Sequence, residues 1–243
     1  MRVFVFTHNK MYWCLKPFSY LFNVFFSELQ EVVVVGYEPL PFDLPQNFSF
    51  HSIAPHSYPV NEWSTGIIEF LESVPDANFI FSFEDYWICR GTDHPAVTSL
   101  ESYLNCHGDV WRVDLTGDRL YSGRAVDRGA WGHLDMIETT PDVPYCLSTQ
   151  MSVMNRRNML RIIKPHMSPW QFELQDQQAA LGSLRVLGTR QMPVRYTIGW
   201  GTGSKDENDN PIPNVSGIPH QHLKFIEERG WLDAHKDPLA YWK

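Results

Sequence analysis

The sequence predicts a single α/β domain with a mixed, mainly parallel central sheet flanked by helices. In the first third of the chain, short apolar runs of strand length alternate with longer segments of helical periodicity. Their order of strand, helix, strand, strand, helix, strand is typical of a sheet covered by helices with right-handed crossovers. A chain of 243 residues that is 43% hydrophobic can also bury a sizeable core.

The first elements follow from apolar runs and their boundaries. Four consecutive valines favour a buried strand, and Gly36 marks its end. Pro17 and Ser27 lie near the two ends of the first helical segment. The predicted order is a strand at 2–6, a helix within 12–29, strands at 31–37 and 48–53, a helix at 61–74 and a strand at 79–83.

The remaining elements are predicted in the same way. Residues 116–131 lack a clean period, which predicts a long loop, and long loops in compact domains are often functional lids. The other predicted elements are a helix at 92–105, strands at 109–115, 133–139 and 145–154, helices at 155–163 and from 168, two strands within 184–199, a polar loop at 201–217 and a helix at 219–230. We expect one domain at 1–200, extended or covered by residues 201–243.

Composition excludes some classes of protein. The formal charge of -8 argues against a protein that coats nucleic acid through a basic surface. The four cysteines are widely spaced without a CxxC pair, and no signal peptide precedes the first strand. We therefore expect reduced thiols and a cytoplasmic protein. No apolar stretch reaches the length that spans a bilayer.

Two adjacent carboxylates, Glu84 and Asp85, follow the buried strand at 79–83. Open α/β sheets bind ligands outside the carboxyl ends of such strands. Paired carboxylates there suit a hard cation such as Mg²⁺ or Mn²⁺, which would in turn hold substrate phosphates. The alternative is that the two acids cap and open the next helix.

The loop after the first strand contains Thr7, His8 and Asn9. In nucleotide-binding α/β folds this loop meets the base or ribose, so these residues are candidate donor contacts. The alternative is an ordinary polar turn between strand and helix.

A second informative stretch is 168–173, SPWQFE. Ser168 followed by Pro169 predicts a helix start, which places Trp170 and Glu173 one turn apart on one face. An aromatic platform beside a carboxylate suits stacking on a sugar or base while the carboxylate accepts a proton. The alternative is a capping box in which the acid only favours the helix N-terminus.

These stretches together carry a resemblance to a known family. The motif EDYW at 84–87, STQMSVMN at 148–155 and SPWQFE at 168–173 resemble glycosyltransferases of the GT-A type, above all bacterial and phage-encoded members. The resemblance covers roughly residues 2–196, and the acidic pair departs from the family's usual Asp-x-Asp pattern. It implies a GT-A-like, Rossmann-like domain.

The resemblance also implies roles for individual residues. Glu84 and Asp85 would occupy the metal and nucleotide-diphosphate position, with Mn²⁺ or Mg²⁺ as cofactor. Glu173 would be the general base of an inverting enzyme. A C-terminal histidine completes the metal shell in some enzymes of this type, so His220 and His222 are further candidate ligands. The candidate acceptor-binding residues are Trp170, Trp87 and Arg124.

The expected function is transfer of a sugar from a nucleotide-sugar donor to a glycan or, in a phage, to a hydroxymethylated base in DNA. A DNA acceptor predicts a basic groove built from Arg119, Arg124, Arg128, Arg156, Arg157 and Arg161. A glycan acceptor predicts an aromatic-lined cleft with few cations. The alternative from another class is a non-catalytic nucleotide- or sugar-binding protein on the same scaffold.

Overall fold

The computed structural model describes residues 1–53, 59–200, 207 and 212–232. The chain divides into two compact units, each assembled from three separate segments. Unit one comprises Met1–Phe4, Tyr58–Ser82 and Asp93–Pro193, and unit two comprises Val5–Ser57, Phe83–Thr92 and Val194–Lys243.

The described residues form eleven strands; most coincide with predicted apolar runs, but those at 86–88 and 125–131 were not predicted. The eleven strands are β1 (Arg2–Phe6), β2 (Val32–Gly36), β3 (Phe48–Ser52), β4 (Asn78–Phe83), β5 (Tyr86–Ile88), β6 (Val110–Asp114), β7 (Ala125–Trp131), β8 (Leu134–Thr139), β9 (Ser152–Asn155), β10 (Arg185–Thr189) and β11 (Tyr196–Ile198).

The helices of the described residues are mostly short. They are α1 (Leu15–Phe22), α2 (Trp63–Ser73), α3 (His94–Cys106), α4 (Asp118–Tyr121), α5 (Arg156–Ile162), α6 (Pro169–Leu174), α7 (Gln177–Leu181) and α8 (His220–Glu228). A 3-10 turn at Asn9–Cys14 precedes α1 and a π turn at Asn23–Ser27 follows it, so the predicted helix within 12–29 is three consecutive helical pieces.

In unit one the strand order is β1-β4-β9-β6-β10-β8-β7, with β1 contributing its first residues. Strands β6 and β10 pair in parallel, while β9 is antiparallel to β4 and β6, and β8 is antiparallel to β10 and β7. Strands β4, β6, β7 and β10 therefore point one way and β8 and β9 the other.

In unit two the order is β3-β2-β1, with β2 and β3 parallel, and a separate antiparallel ribbon joins β5 to β11. All five residues of β2 are buried, as its run of valines predicts. The predicted fold class, a mixed and mainly parallel sheet flanked by helices, is confirmed.

Aromatic packing and helix caps fix the elements of unit one. Phe4 on β1 stacks on Phe79 of β4 at 5.0 Å between ring centroids and meets Phe70 of α2 edge-on at 4.8 Å. Asp93 caps α3 by accepting a hydrogen bond from the Ala96 amide at 3.0 Å.

The predicted loop at 116–131 is wrong, because this stretch forms α4 and the exposed strand β7. A bulge between Asp127 and Ala130, with Gly129 at a φ of 80°, interrupts the alternation that would have revealed the strand. The predicted strand at 145–154 is shorter, and only its end forms β9. Most of the predicted polar loop at 201–217 and the last eleven residues of the chain lie outside the described residues. The boundary at residue 200 stays a prediction. Within the described residues no helix is long and apolar enough to cross a membrane.

Candidate functional site

Unit two brings together polar residues that follow two different strands. Strand β4 ends at Phe83, and Glu84 and Asp85 form the tight turn into β5. The backbone amide of Thr7, just after β1, donates to the Val35 carbonyl at 3.0 Å, which fixes the loop against β2. The Thr7 side chain hydrogen-bonds the Glu84 carboxyl group. Thr7, Glu84 and Asp85 therefore form one cluster, as the sequence predicts for carboxyl ends of strands in this fold class.

The two carboxyl groups of this cluster are electrostatically unusual. Glu84 is 5% exposed, and burial together with the neighbouring Asp85 holds its pKa well above the ordinary value. Burial raises the pKa of Asp85 to about 7, although its side chain remains partly exposed. No described residue hydrogen-bonds the buried Oε2 of Glu84. Such an unpaired acceptor costs free energy unless a ligand or cation satisfies it.

The pair fits a divalent cation held largely by substrate. Mg²⁺ in phosphate-binding sites commonly takes one or two carboxylates from the protein and its other ligands from phosphate and water. Within the described part of the chain there is no group of three or more His, Cys, Asp or Glu side chains that could hold a metal. A cation here would accordingly depend on Glu84, Asp85 and the oxygens of a bound diphosphate.

The histidines of α8 have other surroundings. The Nδ1 atom of His222 lies 2.9 Å from the Tyr20 hydroxyl, and its Nε2 atom lies 3.1 Å from Nε2 of Gln221. His220 is exposed at the start of the helix. His222 is therefore part of the packing of α8 onto Tyr20. The role of both histidines as metal ligands stays a prediction.

His8 and Asn9 join the loop after β1 to the loop after β2. His8 Nδ1 accepts a hydrogen bond from the Lys10 amide at 3.3 Å, and burial followed by the charge of Lys10 lowers the His8 pKa. Asn9 Oδ1 accepts from the Glu38 amide at 3.3 Å. The His8 ring lies edge-on to Tyr37 at 5.7 Å between centroids. Both side chains thus stabilise the two loops. Their contact with a nucleotide-sugar donor stays a prediction.

The role of Tyr12 in this loop pair was not predicted, and Gly36 was interpreted only as the end of β2. The Tyr12 hydroxyl donates to the Glu38 carbonyl at 2.7 Å and accepts from the Tyr37 amide at 3.2 Å. A Cβ at Gly36 would lie 3.0 Å from that hydroxyl and 3.1 Å from Cγ2 of Thr7. The glycine at the end of the valine run was the available signal, since close approach of other groups requires a residue without a side chain.

Trp87 supports the acidic turn from within the core. Its side chain is fully buried, and the indole N–H donates to the Cys14 carbonyl at 3.3 Å. Trp13 packs edge-on against it at 6.0 Å between centroids. The structure thus gives Trp87 a packing role, and the predicted acceptor contact gains no support from its burial.

In unit one, α6 carries the second predicted pair. Ser168 and Gln171 form the capping box that the sequence suggested as an alternative. Trp170 is 63% exposed, as a stacking platform requires. Oε1 of the partly exposed Glu173 accepts hydrogen bonds from both the amide and the hydroxyl of Thr149, each at 2.7 Å. Thr149 was not predicted as a site residue, although it lies within the stretch at 148–155 that carries the resemblance.

Most of the arginines considered for a basic groove are held by protein groups. Arg119 is 1% exposed and bound to Asp114, while the exposed Arg124 pairs with Asp142. The remaining contacts are Arg128 with Glu138, Arg156 with the Asp76 and Leu71 carbonyls, and Arg161 with Asn158.

Comparison with solved structures places the fold. The chain has the fold of GT-A-type enzymes, as the resemblance implied. It is similar to the crystal structure of TarS from S. aureus, a GT-A-type glycosyltransferase, with a TM-score of 0.50 and 15% identity over 82% of this chain. The chain spans only 37% of the length of that TarS structure.

Two further similarities are weaker. A structure of S. aureus TarS 1-349 has a TM-score of 0.47 and 16% identity, covering 82% of this chain and 61% of that one. CMP:2-keto-3-deoxy-manno-octonic acid synthetase complexed with CTP has a TM-score of 0.40 and 10% identity, covering 77% of this chain and 88% of that one. No protein-family model matches the sequence, and no curated protein is significantly similar to it.

Proposed function

We propose that this protein is a glycosyltransferase that moves a sugar from a nucleotide-diphosphate donor to a hydroxyl acceptor. The observation that carries the proposal is the unpartnered, buried Oε2 of Glu84 beside Asp85 and Thr7, at the carboxyl end of β4 in a GT-A-type fold. Burial of this carboxyl group without a partner is electrostatically unfavourable in the free protein. A cation–diphosphate ligand would offset that cost.

Glu84 and Asp85 would hold Mn²⁺ or Mg²⁺ against the diphosphate of the donor. Such an ion neutralises charge on the departing nucleoside diphosphate, which is Lewis-acid assistance to the leaving group. Thr7 restrains the Glu84 carboxyl group by its hydrogen bond, so the buried acid is oriented before the donor binds.

Glu173 would act as the general base towards the acceptor. Its carboxylate takes the proton of the acceptor hydroxyl while the hydroxyl oxygen forms a bond to the anomeric carbon. The bond from that carbon to the diphosphate oxygen breaks, and the nucleoside diphosphate leaves with the electron pair. Attack from the face opposite the leaving group gives inversion. Trp170, exposed one turn earlier on α6, would stack on the acceptor.

For the acceptor class, we favour a glycan over DNA. A DNA site requires several cationic side chains free to meet phosphates. Arg119 is buried, and four of the other five candidate arginines have hydrogen bonds to protein carboxylates, carbonyls or an amide oxygen. The exposed indole of Trp170 suits a sugar ring.

The test is release of nucleoside diphosphate from a panel of UDP-, GDP- and CDP-sugars with Mn²⁺ or Mg²⁺. We expect metal-dependent release by the wild type, its loss in Asp85→Asn, and donor binding without transfer in Glu173→Gln. Asp43→Asn, which changes an exposed acid of unit two, is the matched control and should behave as the wild type.

Two other outcomes would overturn the proposal. Donor binding without turnover, with glycan and DNA acceptors both present, would indicate a non-catalytic binding protein on this scaffold. The absence of any donor binding would leave the acidic pair a structural feature. Transfer to hydroxymethylated DNA with no transfer to glycans would overturn only the acceptor assignment.

A further inference from the structure

The carboxylate of Glu173 is held asymmetrically. Its Oε1 atom accepts two hydrogen bonds from Thr149, one from the backbone amide and one from the hydroxyl, both at 2.7 Å. Among the described residues, none donates to Oε2. One oxygen is therefore anchored to the protein, and the other is available to a ligand.

The segment that presents Thr149 is itself anchored. Nη2 of the buried Arg119 donates to the Tyr145 carbonyl at 2.9 Å. The Leu147 amide donates to Oε1 of Gln177 at 3.2 Å, and Nε2 of Gln177 donates to the Glu173 carbonyl at 3.4 Å. Gln177 thus links the segment at 145–149 to the end of α6, and Arg119 holds the start of that segment.

Helix α6 has little freedom to move Glu173 away from this anchor. Phe172, the preceding residue, is fully buried and lies 6.1 Å from Trp111 and 5.9 Å from Trp63 between ring centroids. The capping box of Ser168 and Gln171 fixes the start of the helix. The backbone of Glu173 is therefore set by packing, and Thr149 sets the remaining orientation of its carboxylate.

We propose that Thr149 is a positioning residue that fixes the Glu173 carboxylate with Oε1 anchored and Oε2 as the atom that takes the acceptor proton. The inference rests on the proposed function of Glu173 as general base. A donated hydrogen bond stabilises the charged carboxylate and limits its rotation, and a base held in a productive geometry transfers protons more efficiently.

The experiment compares Thr149→Val, which loses the hydroxyl donor but keeps the amide, with Thr149→Ser, which keeps both. Thr98→Val, on an exposed position of α3, is the matched control for the same chemical change. In Thr149→Val we expect kcat to fall between about tenfold and about a hundredfold at unchanged KM for the donor. Thr149→Ser should restore most of the rate, and Thr98→Val should match the wild type.

A second readout separates this inference from the proposed function. In ¹³C-glutamate-labelled protein, with Glu173→Gln used for assignment, the chemical shift of the Glu173 carboxyl carbon at one fixed pH should change in Thr149→Val and stay near wild type in Thr149→Ser. An unchanged Glu173 chemical shift in Thr149→Val, or equal loss of kcat in the valine and serine variants, would overturn the positioning role. A changed Glu173 chemical shift in Thr149→Val, in a protein whose wild type has no transferase activity, would support the positioning of the carboxylate by Thr149 and refute its role as base.

Discussion

The backbone amide of Gly199 donates a hydrogen bond of 2.6 Å to the backbone carbonyl of Asp85. This contact joins the end of β11 to the turn that presents the acidic pair, and it depends on glycine. A Cβ at position 199 would lie 2.4 Å from Cε2 of the buried Trp87. The backbone at Gly199 therefore rests directly on the indole ring, which leaves no room for a side chain.

Replacement of Gly199 by alanine should destabilise the protein and weaken donor binding. The methyl group must displace Trp87 or the Asp85 turn, and overpacking of this kind costs about 1–3 kcal/mol. Chemical denaturation measures the loss of unfolding free energy, and titration calorimetry measures donor affinity. Gly91→Ala is the control, because a Cβ there meets nothing within 4 Å. Equal stability of the two variants would show that the ring contact is not restrictive.

The raised pKa of Asp85 predicts that the free protein loses stability as the pH rises. The ordinary aspartate value is 3.8 and the folded value is about 7, so between these values the folded state binds more protons than the unfolded state. The free energy of unfolding therefore falls as pH rises through this window and levels off above about pH 7. Asp85→Asn should reduce this slope, to which Glu84 also contributes, and gain on the order of a few kcal/mol at about pH 8. Urea denaturation at several pH values, without divalent cations, measures it.

Asp76 provides a control of opposite sign. Its hydrogen bonds with Arg2 lower the pKa of the carboxyl group below the ordinary value. That group stabilises the fold above its ordinary pKa and loses this contribution as pH falls through the folded value. Asp76→Asn should thus lower stability at neutral pH, where Asp85→Asn raises it. If both variants shift stability in the same direction, the assignment for Asp85 is incorrect.

Among the carboxylates of unit one, we expect Asp114 to be the one whose replacement lowers stability most. It is fully buried between two buried arginines, pairing with Arg112 and, at 2.9 Å, with Nε of Arg119. Burial and then the charge of the neighbouring Arg119 lower the pKa of Arg112 to about 10. Removing the shared carboxylate takes an ion-pair partner from both buried arginines and leaves Arg119 with Asp118, so Asp114→Asn should cost about 3–5 kcal/mol.

The matched comparison for Asp114 is the surface pair of Arg124 and Asp142. Their side chains are 70% and 58% exposed, so solvent already screens the interaction. We expect Asp142→Asn to leave the thermal midpoint nearly unchanged, while Asp114→Asn lowers it by many degrees or prevents folding. A small effect at both positions would mean that the buried arginines find other partners.

Trp170 should affect the acceptor and leave the fold intact. The side chain is 63% exposed on α6, so Trp170→Ala should leave the thermal midpoint and donor hydrolysis unchanged and raise the KM for the acceptor about tenfold. Leu174→Ala, a change at another exposed apolar position of the helix, controls for general loss of apolar surface. Phe172→Ala should instead cost about 3–5 kcal/mol, because that ring is fully buried. An unchanged acceptor KM in Trp170→Ala would remove this residue from the acceptor site.

The sequence by itself determined the parts of this protein that depend on local pattern. Buried strands such as β2 and β4 were predicted closely, since a fully buried strand is a continuous apolar run wherever it lies in the chain. The capping box at Ser168 was also visible, because its two partners are three residues apart. Because Glu84 and Asp85 directly follow a strand, the sequence also indicated which end of the sheet is polar. The pairing of strands brings Thr7 to the same end.

Only the tertiary structure decided which residues from distant parts of the chain contact one another. Strand β7 was missed because it is exposed and bulged, so its pairing with β8 stabilises it without an apolar signature. Gly199 rests on the buried Trp87, which is 112 positions away in the sequence. Thr149 anchors Glu173, which is 24 positions away. Such contacts leave no periodic trace in a single sequence, because their energy comes from shape and hydrogen bonding between segments that the chain brings together only on folding.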